Sequence, residues 1–472
     1  MSTTTAPEAA EAPAAPQLSH GLKQRHLSMI ALGGVIGAGL FVGSGAGIAV
    51  AGPGIILAFV AAGLLVMLIM RMLGEMSAAH PASGSFSVHA EREIGPWAGL
   101  TTGWLYWVMI GVAVAVEATA AGAIMHSWVT GVPAFVWVGI FMAFFCATNL
   151  TAVKNFGEFE FWFAAIKITA IVAFLTLGVL GVTGVIGHAP GTANLTGRGG
   201  FLPHGGDGLI TGLLPAVFAY GGLEAVTIAA AESDDPRRNV ANAVRTAVWR
   251  IAIFYIGTMA LAVTLVPWDD PDVVALGPYV TVLQLLNVPG AALAMKIVVL
   301  IALLSAMNAN IYSASRMVYS LVTRGLGPRA LAKVTGGVPR LSVLASCGFG
   351  FAAVLAGYIW PDTIFLWLLN STGVAILVLW LFIGAAQLRM RRRVERENPD
   401  LLTVRMWAFP YLTWLAIAAV VALLALMTTS ADNRAQLYAA GVLVTALGAV
   451  GLWHQRCTAA TAATAQEPGR TP

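Results

Sequence analysis

The sequence predicts an all-α, polytopic membrane protein with about twelve transmembrane helices. Of its 472 residues, 58% are hydrophobic and only 10% are charged, and the mean hydropathy is +0.80. A soluble domain does not bury so large an apolar fraction, whereas a membrane protein exposes it to lipid. Apolar runs of about 20 residues, the length that crosses a bilayer as a helix, recur along the chain. Two of these runs are interrupted by glycines.

The spans follow one another with short connections. We place them near 27–50, 53–79, 97–127, 133–153, 159–186, 209–233, 244–267, 290–322, 341–359, 363–386, 407–428 and 433–455. The segments outside them, 1–20 and 456–472, are predicted to be disordered tails. Residues 21–455 are then a single membrane domain.

The first interruption is a glycine run over residues 33–45, with six glycines in thirteen positions. In lipid, backbone N–H and C=O groups must be satisfied within the segment, so irregular backbone is tolerated only against protein or a watery cavity. The second interruption, residues 218–224, lies in the sixth span and ends in Glu224. Two glycine-broken spans in corresponding positions of two halves indicate the binding site of a transporter.

The spacing of the breaks predicts an inverted repeat. Five spans separate equivalent points of the first and sixth spans, and an odd number reverses the direction through the bilayer. We predict repeat one over 21–187, repeat two over 208–387 and two additional helices over 407–455. In such an arrangement the breaks face each other near the bilayer midplane.

A helix that stops and restarts exposes two kinds of polar backbone. The restart presents free N–H groups at the positive end of a helix dipole, which suits a carboxylate, and the stop presents free carbonyls, which suit an ammonium. The sequence therefore predicts a site for a zwitterionic amino acid, and the alternative is that the glycines serve close helix packing. The candidate ligands are Val35, Ile36, Gly37, Ala38, Gly39, Phe218, Ala219, Tyr220 and Gly221.

Four of the charged residues within predicted spans are the main functional candidates, because a charge costs about 2.5 to 3.5 kcal/mol at the centre of a span and indicates function by default. Lys167, in the fifth span, is suited to stand in for a coupling cation and to release and regain a proton. Glu117 and Glu224 are further candidates for proton coupling, and the alternative for each is a hydrogen-bonded acid that fixes helix contacts. Lys296 is expected to snorkel outward. Phe218 and Glu224 are candidate gate residues, with plain packing as the alternative for Phe218.

The distribution of basic residues predicts the orientation. Of the 26 lysines and arginines, only Arg198 and Arg434 fall in outer loops when the N-terminus is placed inside, and Lys167 and Lys296 fall within spans. This asymmetry predicts a multi-pass protein of the cytoplasmic membrane with both termini in the cytoplasm. The same pattern explains the net charge of +4 without a nucleic-acid partner. Three scattered cysteines are too few for a zinc site, and we expect no metal and no cofactor.

Several stretches of the chain together form a specific pattern. They are the first glycine run, 70–76, 84–87, 157–162, 227–233, 249–251 and 315–321. Through them the chain resembles the bacterial amino-acid permeases of the amino acid, polyamine and organocation superfamily. Through residues 126–128, 224–233 and 387–391 it is similar, within that superfamily, to the γ-aminobutyrate permeases.

The resemblance implies a fold of ten inverted-repeat spans plus two, and proton-coupled uptake of an amino acid. It implies that Lys167 stands where sodium-coupled relatives bind an ion, and that Phe218 acts as a gate. The chain departs from the pattern at Ile110, a substrate-site position where aromatic-amino-acid and γ-aminobutyrate carriers have Tyr or Trp, and at Ala241-Asn242, which replaces Ile-Pro. The expected substrate is γ-aminobutyrate or another neutral amino acid.

Other function classes are weaker. An intramembrane serine enzyme would need a base beside Ser83, and nothing in the sequence places His126 there. An ATP-driven pump would need a G-x-x-x-x-G-K-[ST] loop, which the sequence lacks. A permease for aromatic or other neutral α-amino acids, a channel and an amino-acid sensor that does not transport stay open as alternatives.

Overall fold

The computed structural model describes residues 36–82, 84–151, 156–187, 189–223, 249–335, 337–361, 363–429 and 431–465. These residues form an all-α, multi-pass membrane protein, with one isolated bridge between Thr335 and Val338 as their only β pairing. Eight of their helical segments are long and apolar enough to cross a membrane, and Ile251–Leu265 and Tyr411–Met427 are shorter apolar helices. The count of twelve spans stays a prediction, because the first, fourth, sixth and seventh predicted spans continue outside the described residues.

The helices follow the order of the predicted spans. A π-helical turn at Gly39–Gly43 leads into α1, and another at Ile251–Gly257 leads into α8. The helices are α1 (Ser44–Ala51), α2 (Ile55–Ala79), α3 (Ser85–Glu93), α4 (Pro96–Trp128), α5 (Ala134–Thr151), α6 (Phe156–Val182), α7 (Gly205–Tyr220), α8 (Thr258–Leu265), α9 (Pro271–Ala275), α10 (Pro278–Leu285), α11 (Ala291–Thr323), α12 (Arg340–Ile359), α13 (Ile364–Glu397), α14 (Tyr411–Met427) and α15 (Ala431–Ala465).

The last helix is longer than the sequence predicts. It ends at Ala465, so residues 456–465 continue α15 instead of belonging to the disordered tail predicted over 456–472. Alanine has the highest helix propensity of all residues, and this stretch is rich in it.

Among the described residues, the core is centred on α4 and α11, which make the most extensive contact between two helices there. α7 packs against α1 and α2. The apolar side chains on the outer faces, such as Leu64, Phe144 and Val442, are exposed, as expected for positions that face lipid. The site described below lies where α4, α6, α7 and α11 surround the start of the first helical segment.

A buried polar cluster ties α2 to α13 and to the segment that follows it. The carboxylate of Glu75, which is fully buried, pairs with the Arg391 guanidinium and accepts hydrogen bonds from Gln387 Nε2 and the Met406 backbone N–H, both at 2.9 Å. Gln387 Oε1 in turn accepts from Thr413 Oγ1 of α14 at 3.0 Å. The cluster therefore joins the three helices α2, α13 and α14.

We expect Glu75→Gln to destabilise the protein by about 3 kcal/mol, because Arg391 then loses its buried partner and keeps only the exposed carboxylate of Glu395, at 2.6 Å. Thermal unfolding of the purified protein in detergent measures the loss. In the double variant E75L/R391M both charges are removed together, and most of the stability should return. Equal destabilisation in the single and double variants would contradict this assignment.

Candidate substrate and coupling site

The first helical segment of the described residues begins in the interior of the protein. Ile36 is not helical, and the helix begins with the hydrogen bond from the Phe41 N–H to the Gly37 carbonyl at 3.2 Å. Gly37, Ala38 and Gly39 are buried, and the Ala38 N–H precedes the first intrahelical donor, so it is available to a ligand. Val35 and the preceding half of the span lie outside the described residues.

A carboxylate already occupies this helix start. The Ala38 N–H donates to both oxygens of Glu117 of α4, at 3.1 Å to Oε1 and 3.0 Å to Oε2. Glu117 is only 4% exposed. The backbone donor that we assign from the sequence to a substrate carboxylate is therefore engaged by a side chain of the protein itself.

The second interruption lies at Gly221 and Gly222. α7 ends at Tyr220, where the Gly221 N–H bonds the Phe218 carbonyl at 2.9 Å, and Gly222 adopts a φ of +90°, a left-handed conformation that favours glycine. The sixth predicted span is thus broken within the stretch 218–224. Glu224, the predicted proton-coupling and gate residue, lies outside the described residues.

The two interrupted segments touch each other. A Cβ placed on Gly39 would lie 2.6 Å from Ala219 Cα and 3.0 Å from Phe218 Cδ1, so only glycine permits this approach. Phe218 is 7% exposed and lies over the Gly39 backbone. The start of the first segment and the end of α7 therefore lie against each other, and Phe218 is at the point where the segments cross.

Close packing accounts for more of the glycine run than we expect from the sequence. A Cβ on Gly43 would be 2.6 Å from Leu369 Cδ1, and one on Gly47 would be 2.8 Å from Ile55 Cδ1. A Cβ on Gly45 would collide with the Val273 carbonyl oxygen. These glycines let the first segment approach its neighbours, as the alternative of close helix packing predicts. The density of glycines is therefore not by itself evidence of a ligand site.

Buried charges surround the helix start. Lys167 of α6 is fully buried, and its Nζ lies 3.9 Å from Oε1 of Glu160, which is 1% exposed. Lys167 is also near enough to Glu117 for the two charges to interact. Lys167 is therefore flanked by one carboxylate on its own helix and by another that caps the restart of the first segment.

Glu160 is a site residue that our reading of the sequence missed. Ser305 Oγ of α11 donates to its Oε1 at 3.1 Å and to its Oε2 at 2.9 Å. Glu160 and Lys167 are seven residues apart, two helical turns on the same face, and this spacing is visible in the sequence. The signal was overlooked because Glu160 lies at the edge of the predicted span.

We expect Glu160→Gln to reduce pH-gradient-driven substrate accumulation at least tenfold, because the amide neither pairs with Lys167 nor exchanges a proton with it. Uptake into vesicles that contain the reconstituted protein measures the effect. Ser305→Ala should act in the same direction but more weakly. Ser315→Ala is the matched control, because this serine is also buried on α11 but bonds the Tyr312 carbonyl of its own helix at 2.8 Å. Accumulation at the wild-type level in the Glu160 variant would contradict the expectation.

Two other predicted ligands, Tyr220 and Ile110, have side chains that do not contact the helix start in the described contacts. The Tyr220 side chain is buried against α2, where its hydroxyl donates to the Phe59 carbonyl at 2.9 Å, so only its backbone remains a candidate. Ile110 is buried on α4, seven residues before Glu117 and thus on the same helix face. It stays a candidate on the basis of this placement alone.

The comparisons with known proteins give a consistent result. Residues 26–463 match the model of the amino acid permease family. The chain is 44% identical to the gamma-aminobutyric acid permease of Bacillus subtilis over 432 residues. These aligned residues cover 90% of this chain and 91% of the relative. It is 42% identical over 430 residues to the gamma-aminobutyric acid permease of Escherichia coli, with 90% and 92% covered.

An aromatic carrier is equally similar. The aromatic amino acid transport protein AroP of Corynebacterium glutamicum is 44% identical over 432 residues, which cover 90% of this chain and 93% of the relative. The family match spans nearly the whole helical domain, so it includes both interrupted segments and the buried charges. The chain belongs to the amino acid permease family, whose members are membrane transporters and not enzymes.

Proposed function

We propose that the protein takes up γ-aminobutyrate together with a proton across the cytoplasmic membrane. The observation that carries this proposal is the fully buried Lys167 between Glu160 and Glu117 beside the restart of the first segment. Burying a lysine and two carboxylates within a membrane protein costs free energy, so their presence indicates a function. Proton exchange is the chemistry that this group of side chains supports. The relatives named for γ-aminobutyric acid indicate the substrate.

The proposed binding mode uses the backbone of both interruptions. The substrate carboxylate binds the N–H groups at Gly37, Ala38 and Gly39, where the dipole of the first segment is positive. The ammonium binds the carbonyls at Val35 and Ile36 and those at residues 218–220. Phe218 and Glu224 close over the ligand, and Gly221 lets the sixth span bend.

Transport proceeds by alternating access in this proposal. The segments that contain the two breaks rock together with their neighbours against the rest of the domain, which exposes the site to each side in turn. The direct crossing at Gly39 and Ala219 supports this, because two segments in such close contact move as one unit. Both termini lie in the cytoplasm, as the distribution of basic residues predicts.

An uptake panel tests the proposal. The purified protein is reconstituted in vesicles, and uptake of γ-aminobutyrate, of the aromatic amino acids and of small neutral α-amino acids is compared with and without an inwardly directed proton gradient. We expect γ-aminobutyrate to accumulate only with the gradient. Uptake that ignores the gradient would refute proton coupling, and binding without uptake would identify a sensor.

A permease for aromatic amino acids is the second candidate. It is favoured by the similarity to the aromatic amino acid transport protein of Corynebacterium glutamicum, which equals that to the Bacillus subtilis γ-aminobutyric acid permease. The same panel separates the two, because tryptophan, phenylalanine and tyrosine would then accumulate and γ-aminobutyrate would not.

A further inference from the structure

Glu117 holds the position that a bound carboxylate would take. Both of its oxygens accept from the Ala38 N–H, at 3.1 and 3.0 Å, and the group is 4% exposed. We propose that Glu117 is a tethered competitor of the substrate: its ionised carboxylate closes the anion site, and its protonated form vacates the site for the substrate carboxylate. This inference rests on the proposed function and adds the means by which the proton and the substrate are coupled.

The site does not admit two carboxylates at once. A Cβ on Gly37 would collide with Glu117 Oε1 and would lie 3.0 Å from the Ala306 Cβ, so the glutamate fills the space beside the Gly37 backbone. Two carboxylates in one buried site also repel each other. The substrate carboxylate must therefore replace that of Glu117 instead of joining it.

Protonation shifts the competition towards the substrate. A hydrogen bond to an ionised acceptor is roughly twice as strong as one between neutral groups, so a protonated Glu117 holds the Ala38 N–H less firmly than an incoming carboxylate does. The charged groups that interact with Glu117 or with its partner are Lys167 of α6 and Glu160, whose Oε1 lies 3.9 Å from Lys167 Nζ.

One transport cycle then moves one net positive charge across the membrane. The proton that binds Glu117 travels with a substrate of zero net charge, and its departure on the other side returns the glutamate to the Ala38 N–H. Return of the glutamate displaces the substrate carboxylate, so release of the proton drives release of the substrate. The ligand class follows from this exchange: the site requires a carboxylate, and an amine that lacks one does not displace Glu117.

Equilibrium binding of γ-aminobutyrate to the purified protein as a function of pH tests this inference. For the wild type, we expect affinity to fall at least tenfold from acidic to alkaline pH, as Glu117 ionises. The Glu117→Gln variant has no negative charge at this position to compete with the substrate carboxylate. Its affinity for γ-aminobutyrate should therefore change less than twofold over the same pH range and should exceed that of the wild type at alkaline pH. Glu117→Asp keeps the charge but is one methylene shorter, and it should give an intermediate slope.

Two further measurements keep the test independent of folding defects. Glu397→Gln is the matched control, because it removes a carboxylate that is 61% exposed at the end of α13 and should keep the wild-type slope. Infrared difference spectra on substrate addition should show a new protonated carboxyl band in the wild type that is missing in Glu117→Gln. Replacing γ-aminobutyrate with 4-aminobutanamide, which has no carboxylate, should abolish binding to the wild type.

The outcomes separate this inference from the proposed function. Binding whose pH slope survives in Glu117→Gln, with no carboxyl band in the wild type, would overturn the competitor role and leave the transporter assignment intact. Equal binding of the amide and the acid would overturn it as well. Failure of the wild type to bind any amino acid at any pH would overturn both.

Discussion

Lys167→Met is expected to abolish accumulation of substrate against its gradient, with a loss of more than a hundredfold relative to the wild type. Methionine is similar to lysine in length and apolar bulk but carries no exchangeable proton, so the helix packing is retained while proton exchange ends. Lys167 is fully buried, and its Nζ lies 3.9 Å from Glu160 Oε1, so the ammonium group lies inside the protein. Proton-driven uptake into reconstituted vesicles measures the accumulation.

A substrate-exchange assay on Lys167→Met distinguishes a loss of proton coupling from a loss of substrate binding. Counterflow of internal for external substrate needs no net proton movement, so it should continue at a measurable rate in Lys167→Met. Lys296→Met is the matched control, because Lys296 is only partly buried, on α11, and should accumulate substrate as the wild type does. Normal accumulation with normal acidification of the vesicles in Lys167→Met would remove Lys167 from the coupling mechanism.

The sequence predicts the helices well because hydropathy is imposed by lipid on each span separately. The interruption at Gly221 and Gly222 lies where the glycine pattern places it, and the described part of the first span begins its helix at Gly37 and Ala38. The break in the first span stays a prediction, because its preceding half lies outside the described residues. α3, α9 and α10 were not predicted, because short helices in connections have neither the length nor the apolar composition of a span.

The arrangement of the site is less predictable because it depends on contacts between distant segments. Glu117 is recognisable from the sequence as a charge within a span, but its hydrogen bonds to Ala38 join positions 79 residues apart. The same holds for Ser305 and Glu160, which are 145 residues apart. No local pattern encodes these pairs, so they emerge only when the helices pack.

At Gly39 the sequence pattern and the tertiary structure each assign a role to the same residue. The sequence singles out this glycine as a backbone donor for a substrate, and the structure adds that it is the point where the first and sixth segments cross. Both roles require the absence of a side chain. A substitution at this position therefore tests the crossing and the binding site together.

Gly39→Val should abolish substrate binding and uptake. The valine Cβ would lie 2.6 Å from Ala219 Cα, and backbone atoms cannot give way as the end of a flexible side chain does, so the two interrupted segments must separate. Separation moves the carbonyls of residues 218–220 away from the restart of the first segment. Binding of γ-aminobutyrate and uptake into vesicles measure the loss, and size-exclusion chromatography confirms that the protein is folded.

Gly448→Val is the matched control, because a Cβ at this glycine of α15 would meet nothing within 4 Å, and uptake should be retained. Gly39→Ala separates the two roles, since its methyl group already meets the Ala219 backbone but covers much less of the Ala38 and Gly39 N–H groups than valine does. If the crossing matters, alanine should weaken binding nearly as much as valine. Near-normal binding in both variants would mean that neither the crossing at Ala219 nor the backbone at Gly39 is needed to hold the substrate.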